Sequence, residues 1–484
     1  MKQEIFLYKH ILYFRKQKFL SLMNFISYFR RHTSFAYTKE FKVQLKLFIP
    51  FLLGQLCSCL MGTVDMLMAG LAGTEDISGV AVACSFYWPA YMFLAGLAYG
   101  ITPITSHLLA SGDNLSLEKR LFNALMVCTI IGVGLALLLA LSPLIFLLVP
   151  ADEKMILVAT DYLYFVSLSL PFTVVFNVLR SYSEGLGVTK PTLFFGVLQL
   201  ILNIPLNYIF IFGMYGMPRL GGVGCGLTSC FINILCAFMI IIYIKKAPVY
   251  KKFGINLSIQ KLETSLVKAY LKLATPIGIS RTLEVACFSL AAVILSPLGP
   301  TIVAAHSITL NVSSLIFMIP LSLCMTATIR TASNLGIESF AKAQISLKIT
   351  TLINLSLFVI YALVLFIFRE QIATLYSKDP KVITLASALM LLNCFYLFPD
   401  SIQAMLTGVL QGFKDTKTIM LNTTIAYWLI GVPVGFVLAY GYLGLPKLEA
   451  FGIWTGFLCA LTFSAIVYAL RVRYLFKHKV FNKV

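Results

Sequence analysis

LLGQLCSCLMGTVDMLMAGLAG, residues 52–73, carries a single charged side chain, Asp65, in a stretch otherwise apolar enough to cross a bilayer as a helix. Two further mainly apolar stretches also hold an acid. TPIGISRTLEVACFSLAAVIL (275–295) holds Glu284, and LMLLNCFYLFPDSIQAMLTGVL (389–410) holds Asp400. An ionised acid at mid-membrane costs about 2.5–3.5 kcal/mol on insertion scales, so an acid kept there is a functional candidate by default. Such a chain is expected to move something across a membrane.

Composition extends that reading to the whole molecule. Hydrophobic residues make up 59% of the 484 and charged residues only 12%, about half the share of a soluble protein. Mean hydropathy is +0.89. Twelve candidate spans fall between residues 44 and 470, which predicts an all-α, multi-pass membrane protein with twelve transmembrane helices. The net charge of +19 would suggest nucleic acid in a soluble protein, but its distribution removes that need. With the N-terminus placed in the cytoplasm, only Lys154, Arg219, Arg369, Lys378, Lys381 and Lys447 fall in outer loops, and Arg281 lies inside a span. The remaining basic residues crowd the other side, which by the positive-inside rule places both termini in the cytoplasm. No nucleic-acid partner is expected.

Residues 1–43 are basic and aromatic, without the apolar run and cleavage site of a signal peptide. They are expected either to lie on an anionic lipid surface or to form a tail of no fixed place, and Met23 offers an alternative start. The 11 cysteines are scattered through the spans without zinc-site spacing and read as small apolar fillers.

The chain divides by an internal repeat. LKLFIP (45–50) returns as LKLATP (271–276), GLGVTK (185–190) as GFKDTK (412–417), and GMYGMPRLGGVG (213–224) as GYLGLPKLEAFG (441–452). The repeat defines six-span halves at 44–244 and 269–471, with a basic linker at 245–268 and a basic tail at 472–484. An even number of spans keeps both halves in one orientation, so they form parallel repeats, which usually bind substrate between them. The acids are not repeated: Asp65 aligns with Ala291, Glu284 with Ser58, and Asp400 with Phe172 or Thr173. That asymmetry implies a division of labour between the halves. Pro50, Pro171, Pro276, Pro320 and Pro399 are expected to interrupt spans, either as gating elements or as plain kinks.

Tyr396 and Asp400 lie four apart and share a helical face, where phenol and carboxylate can meet a third ligand from another helix. Glu284 is the candidate for that third ligand. Two carboxylates in one desolvated site repel each other, and either a proton or a small hard cation such as sodium relieves the repulsion. In the first half, Asn203 and Asn207 are also four apart, around Pro205, and either join Asp65 in a second polar site or bridge a break at the proline. Asp161 and Glu184, near span ends, are read as structural groups that face either water or snorkelling partners. GGVGCG (221–226) mimics a phosphate-binding glycine run but opens a membrane span. His306 is read as a packing residue.

At these residues the chain resembles the multidrug and toxic compound extrusion (MATE) family, in its NorM-like branch. The matching stretches are PFLLGQLCSCLMGTVDMLMAG (50–70), ILNIPLNYIFIFG (201–213) with GGVGCG (221–226), AAHSITLNVSSLIFMIPLSLCMTATIR (304–330) and FPDSIQAMLTGVLQGFKDTK (398–417). The resemblance implies a secondary antiporter of two six-helix lobes that exports amphipathic organic cations against sodium or proton entry, with no other cofactor. It implies that Asp65, Asn203 and Asn207 form the N-lobe proton or substrate site, and that Glu284, Tyr396 and Asp400 form the C-lobe cation site. Arg281, three residues before Glu284, departs from the apolar residue expected in this branch and is a candidate modulator of the site. A bacterial inner membrane and a monomer are the matching expectations. The alternative within transport is a flippase for lipid-linked sugars, which would carry a strongly cationic cavity, whereas Arg281 is the one basic residue read as deep. An enzyme is not expected, since HExxH, GxSxG and Walker A patterns are absent from the sequence.

Overall fold

The computed structural model describes residues 2–144, 153–255 and 257–480, with side chains described from residue 36 onward. Among the described residues, twelve helices are long and apolar enough to cross a membrane. In the first half these are α1 (Lys2–Ala72), α2 (Thr74–Ser111), α3 (Asn114–Leu144), α4 (Glu153–Gly185), α5 (Lys190–Phe212) and α6 (Val223–Lys246). The second half supplies α7 (Thr264–Leu298), α8 (Pro300–Gly336), α9 (Phe340–Tyr376), α10 (Pro380–Gly412), α11 (Thr416–Tyr440) and α12 (Ala450–His478). Residues 1–46 and 47–484 form separate compact units, and the two acid-bearing halves belong to the second. The tail or surface helix read over residues 1–43 falls largely on side chains outside the described residues.

None of the marked prolines ends a helix. Pro171, Pro276, Pro320 and Pro399 lie inside α4, α7, α8 and α10, Pro50 inside α1, and Pro205 inside α5. Expected interruptions are therefore continuous helices, because each proline leaves only a local gap that packed neighbours tolerate in a membrane. All 11 cysteines are free thiols. Leu137, Leu138 and Leu141 of α3 and Ile360, Leu363 and Ile367 of α9 are exposed, as a lipid-facing surface requires.

Inside each half, small residues let helix backbones approach and hydroxyls join them. Thr102 of α2 donates to the carbonyl of Ser181 in α4 at 3.0 Å, and Thr328 of α8 donates to the carbonyl of Gly408 in α10 at 3.0 Å. These pairs occupy equivalent positions in the repeat. A Cβ on Gly185 would press on Thr105 at 2.7 Å, and one on Gly412 would press on Thr331 at 2.6 Å, again at equivalent positions. The repeat read in the sequence is thus a repeat of packing.

The halves meet where α2 packs on α7 and where the end of α2 packs on α8. A Cβ on Gly96 would come within 2.5 Å of Gly278 Cα, and one on Gly100 within 2.6 Å of Ala274. Tyr270 donates to the Leu97 carbonyl at 2.6 Å, Thr282 reaches the Pro89 carbonyl at 3.4 Å, and Gln55 Nε2 meets Met325 Sδ at 3.4 Å. Thr282 and Pro89 lie near the middle of their helices, whereas Tyr270 and Leu97 lie toward the end rich in Lys and Arg. This is the basic end of the molecule.

The glycine run at 221–226 opens α6 at the opposite end. Gly222 N–H donates to Asp76 Oδ1 at 2.5 Å, so the anion held at this helix start is the chain's own carboxylate.

Candidate functional site

In the first half the three polar residues singled out in the sequence come together. Gly54 of α1 sits against Thr192 and Gly196 of α5, with Cβ-level separations of about 3.0 Å, so the two helices run close. Asp65 of α1 then faces Asn203 and Asn207 of α5. Asn203 Nδ2 donates to Asp65 Oδ1 at 2.8 Å and Asn207 Nδ2 to the same oxygen at 2.6 Å, while Asn207 also donates to Asn203 Oδ1 at 3.2 Å. Cys225 Sγ donates to the Asp65 carbonyl at 3.4 Å. Hydrogen bonds to a charged group contribute about 1.5–3 kcal/mol each, comparable with the cost of inserting the acid. Asp65 is therefore a caged carboxylate. Since α5 continues through Pro205, the asparagines serve the acid rather than a helix break.

The equivalent positions in the second half are Gly431 and Gly435, and there the surface is used for packing. A Cβ on Gly456 of α12 would press on the Gly431 carbonyl and on Gly435 Cα, so α11 and α12 approach more closely than a side chain there would permit. Asp65's counterpart, Ala291, is buried in the apolar core.

The second half instead gathers charge around Glu284. Arg281 Nη1 lies 3.2 Å from Glu284 Oε2, and the hydroxyl of Tyr427 donates to Glu284 Oε1 at 3.2 Å. Tyr427 sits in a π-helical stretch of α11, Thr424–Gly431, whose wider turn also lets Trp428 Nε1 donate to the Leu283 carbonyl at 3.2 Å. Asp400, on α10, is 3% exposed and lies within electrostatic reach of Glu284 and Arg281. Among the described residues, no side chain donates a hydrogen bond to its carboxylate.

Tyr396, one turn before Asp400, is buried with its ring edge-on to Trp454 at 5.3 Å between centroids. It shares the neighbourhood of Asp400 and Glu284 without a hydrogen bond to either. The three residues read as the cation set are thus clustered, but the groups that contact Glu284 are Arg281 and Tyr427. Sequence reading missed Tyr427 because an aromatic in an apolar span carries no signal of its own.

Two carboxylates and a phenol oxygen suit a hard cation such as sodium. Among the described residues, no group of three His, Cys, Asp or Glu side chains is disposed to hold a metal ion. A cation reaching Glu284 Oε2 must displace Arg281.

A second deep ion pair rules out water for Glu184 and gives it partners instead. Glu184 is fully buried; Thr192 donates to its Oε1 at 2.8 Å, and Arg180, four residues earlier, approaches that oxygen at 3.4 Å. Arg180 Nη2 reaches the Tyr99 hydroxyl at 3.4 Å. Arg281 is therefore not the only deep arginine. His306 packs edge-on against Trp454, as its apolar surroundings in the sequence imply.

The MatE family profile matches residues 50–209 and again 276–437, once per half. A probable multidrug resistance protein NorM from Idiomarina loihiensis is 35% identical over 434 residues, 90% of this chain and 94% of that protein. Multidrug resistance protein MdtK from Yersinia pseudotuberculosis is 36% identical over 442 residues, 91% and 97% of the two chains. Among solved structures, an outward-facing MATE family transporter superposes with a TM-score of 0.83 at 17% identity, over 91% of this chain and 96% of that one. The eukaryotic MATE transporter AtDTX14 superposes with a TM-score of 0.81 at 19% identity, over 90% and 96%. The two acid sites, the twofold repeat and these likenesses converge: the chain belongs to the MatE family of membrane transporters, in its NorM-like branch.

Proposed function

We propose that the protein is a secondary multidrug efflux antiporter that exports amphipathic organic cations in exchange for sodium ions or protons. The observation that carries this reading is Asp400. It is a buried carboxylate that no described side chain hydrogen-bonds, beside a Glu284 whose partner, Arg281, is itself a displaceable cation. Such a site changes its net charge when a cation or proton enters, which is what ion coupling requires. The caged Asp65 site in the other half is assigned to substrate or proton binding. With the basic end taken as cytoplasmic, the contacts between halves at that end close the inner side, which suits a state open to the exterior.

Its relatives' names as multidrug resistance proteins support the substrate class. A flippase for lipid-linked sugars is disfavoured, because both deep arginines are neutralised by an acid on their own helix, Arg180 by Glu184 and Arg281 by Glu284. Substrate efflux from proteoliposomes, with a sodium gradient and a proton gradient imposed separately, tests the proposal. Efflux that ignores both gradients would overturn it.

A further inference from the structure

Gly96 of α2 lies against Gly278 of α7, and Gly100 against Ala274, so the two helices run antiparallel at close range. Tyr99 and Arg281 each stand three residues beyond the Gly96 and Gly278 contact on their own helix. Helical side chains lean back toward the N-terminus of their helix. On antiparallel neighbours these two therefore lean toward each other, and Tyr99 lies within electrostatic reach of Arg281.

Tyr99 also meets the other deep arginine. Arg180 of α4 places Nη2 3.4 Å from the Tyr99 hydroxyl and Nε 3.4 Å from Glu184 Oε1. One phenol thus stands between the deep arginines of the two halves.

A guanidinium displaced from Glu284 needs a new partner, because an uncompensated buried charge is strongly destabilising. Asp400 is within its reach, but an entering ion occupies that carboxylate together with Glu284. Cys324, also near, offers a weak acceptor. Tyr468 is reached by both members of the pair, yet its hydroxyl is committed to the Ile419 carbonyl at 3.2 Å. The Tyr99 oxygen is the acceptor that the packing of α2 on α7 brings forward. Arg180 can yield it, since Glu184 Oε2 is buried without a hydrogen-bond partner among the described residues and can accept from the freed Nη2.

We infer that Tyr99 receives the Arg281 guanidinium when an ion enters the Glu284 and Asp400 site, with Arg180 withdrawing onto Glu184. The inference rests on the ion-coupling role proposed for those acids. Tyr99 is a positioning residue for that site: it acts through Arg281, by giving the displaced charge a place to go. Ion entry in the second half is thereby felt at a contact between α2 and α4 of the first.

The test is a double-mutant cycle on the purified full chain in detergent, comparing wild type, Tyr99→Phe, Arg281→Leu and the double variant. Arg281→Gln replaces the leucine variant if that one does not fold. Sodium affinity is read by isotope binding at fixed pH, and proton affinity by infrared titration of the carboxylates without sodium. Tyr99→Phe removes only a hydroxyl and should weaken whichever ion the wild type binds by roughly tenfold. In the background lacking Arg281 the same substitution should change affinity no more than about twofold. An equal loss in both backgrounds would assign Tyr99 a structural role through Arg180 and overturn the inference, as would wild-type affinity in Tyr99→Phe. A wild type that binds neither ion would overturn the ion-coupling reading with it, which tells the two failures apart.

Discussion

Arg281 Nη1 and Glu284 Oε2 stand 3.2 Å apart across one turn of α7, so the acid expected to bind a cation already holds one that belongs to the protein. The pair is mostly buried, with side-chain exposures of 16% and 12%. Neutralising the acid internally lowers the cost of keeping it in the membrane. An incoming cation must then compete with a tethered guanidinium.

Replacing Arg281 with leucine should therefore raise sodium affinity, measured by isotope binding at fixed pH. It should also make the folded protein depend on sodium, because loss of the arginine leaves a buried, uncompensated acid. A thermal midpoint that rises more with sodium in Arg281→Leu than in wild type is the expected result. Unchanged affinity would place the arginine outside the site.

Tyr427→Phe removes one hydroxyl and leaves the ring in place. A hydrogen bond to a charged acceptor contributes about 1.5–3 kcal/mol, so the Glu284 site should lose roughly tenfold or more in ion affinity. The same ion-binding titration checks this. Wild-type affinity would show that the 3.2 Å contact to Glu284 has no part in ion binding.

Legibility in the sequence differs by residue. The spans, the repeat and the three mid-span acids follow from apolarity and spacing, which are local properties of a membrane sequence. Asn203 and Asn207 were legible as a pair because four-residue spacing puts them on one helical face, and Asp65 is where that face points. Tyr427 was not, since its reach to Glu284 spans two helices and depends on a π turn that apolar periodicity does not encode. Glu184 stayed undecided between water and a partner because position near a span end does not fix exposure. The i,i+4 spacing to Arg180 was the available signal, but only packing of α4 against its neighbours decides that the pair points inward. The Tyr396 and Asp400 spacing predicted a shared face correctly, yet Trp454 claims the tyrosine ring.

Asp65→Asn keeps the shape of the side chain and removes its charge, so the Asn203 and Asn207 amides lose a charged acceptor. Drug affinity or its pH dependence should change while sodium binding to the purified protein survives. Sodium affinity lost in Asp65→Asn but retained in Asp400→Asn would reverse the assignment of the two halves.

Lys414 gives a stability prediction outside the membrane spans. Its folded-state value of about 8 lies below its ordinary value of 10.5, so between them the unfolded chain binds more protons and stability rises with pH. The wild type should gain on Lys414→Gly as pH climbs from about 8 to about 10.5. Thermal midpoints of the two proteins across that range check it; a constant difference would contradict the burial penalty.

The most direct measurement of ion coupling is efflux from proteoliposomes of wild type, Glu284→Gln and Asp400→Asn, under an imposed sodium gradient and, separately, a proton gradient. Wild type should export substrate in response to at least one gradient, and both variants, inserted and folded, should lose that response. Gradient-driven efflux at wild-type rates by both variants would contradict coupling through the second-half acids.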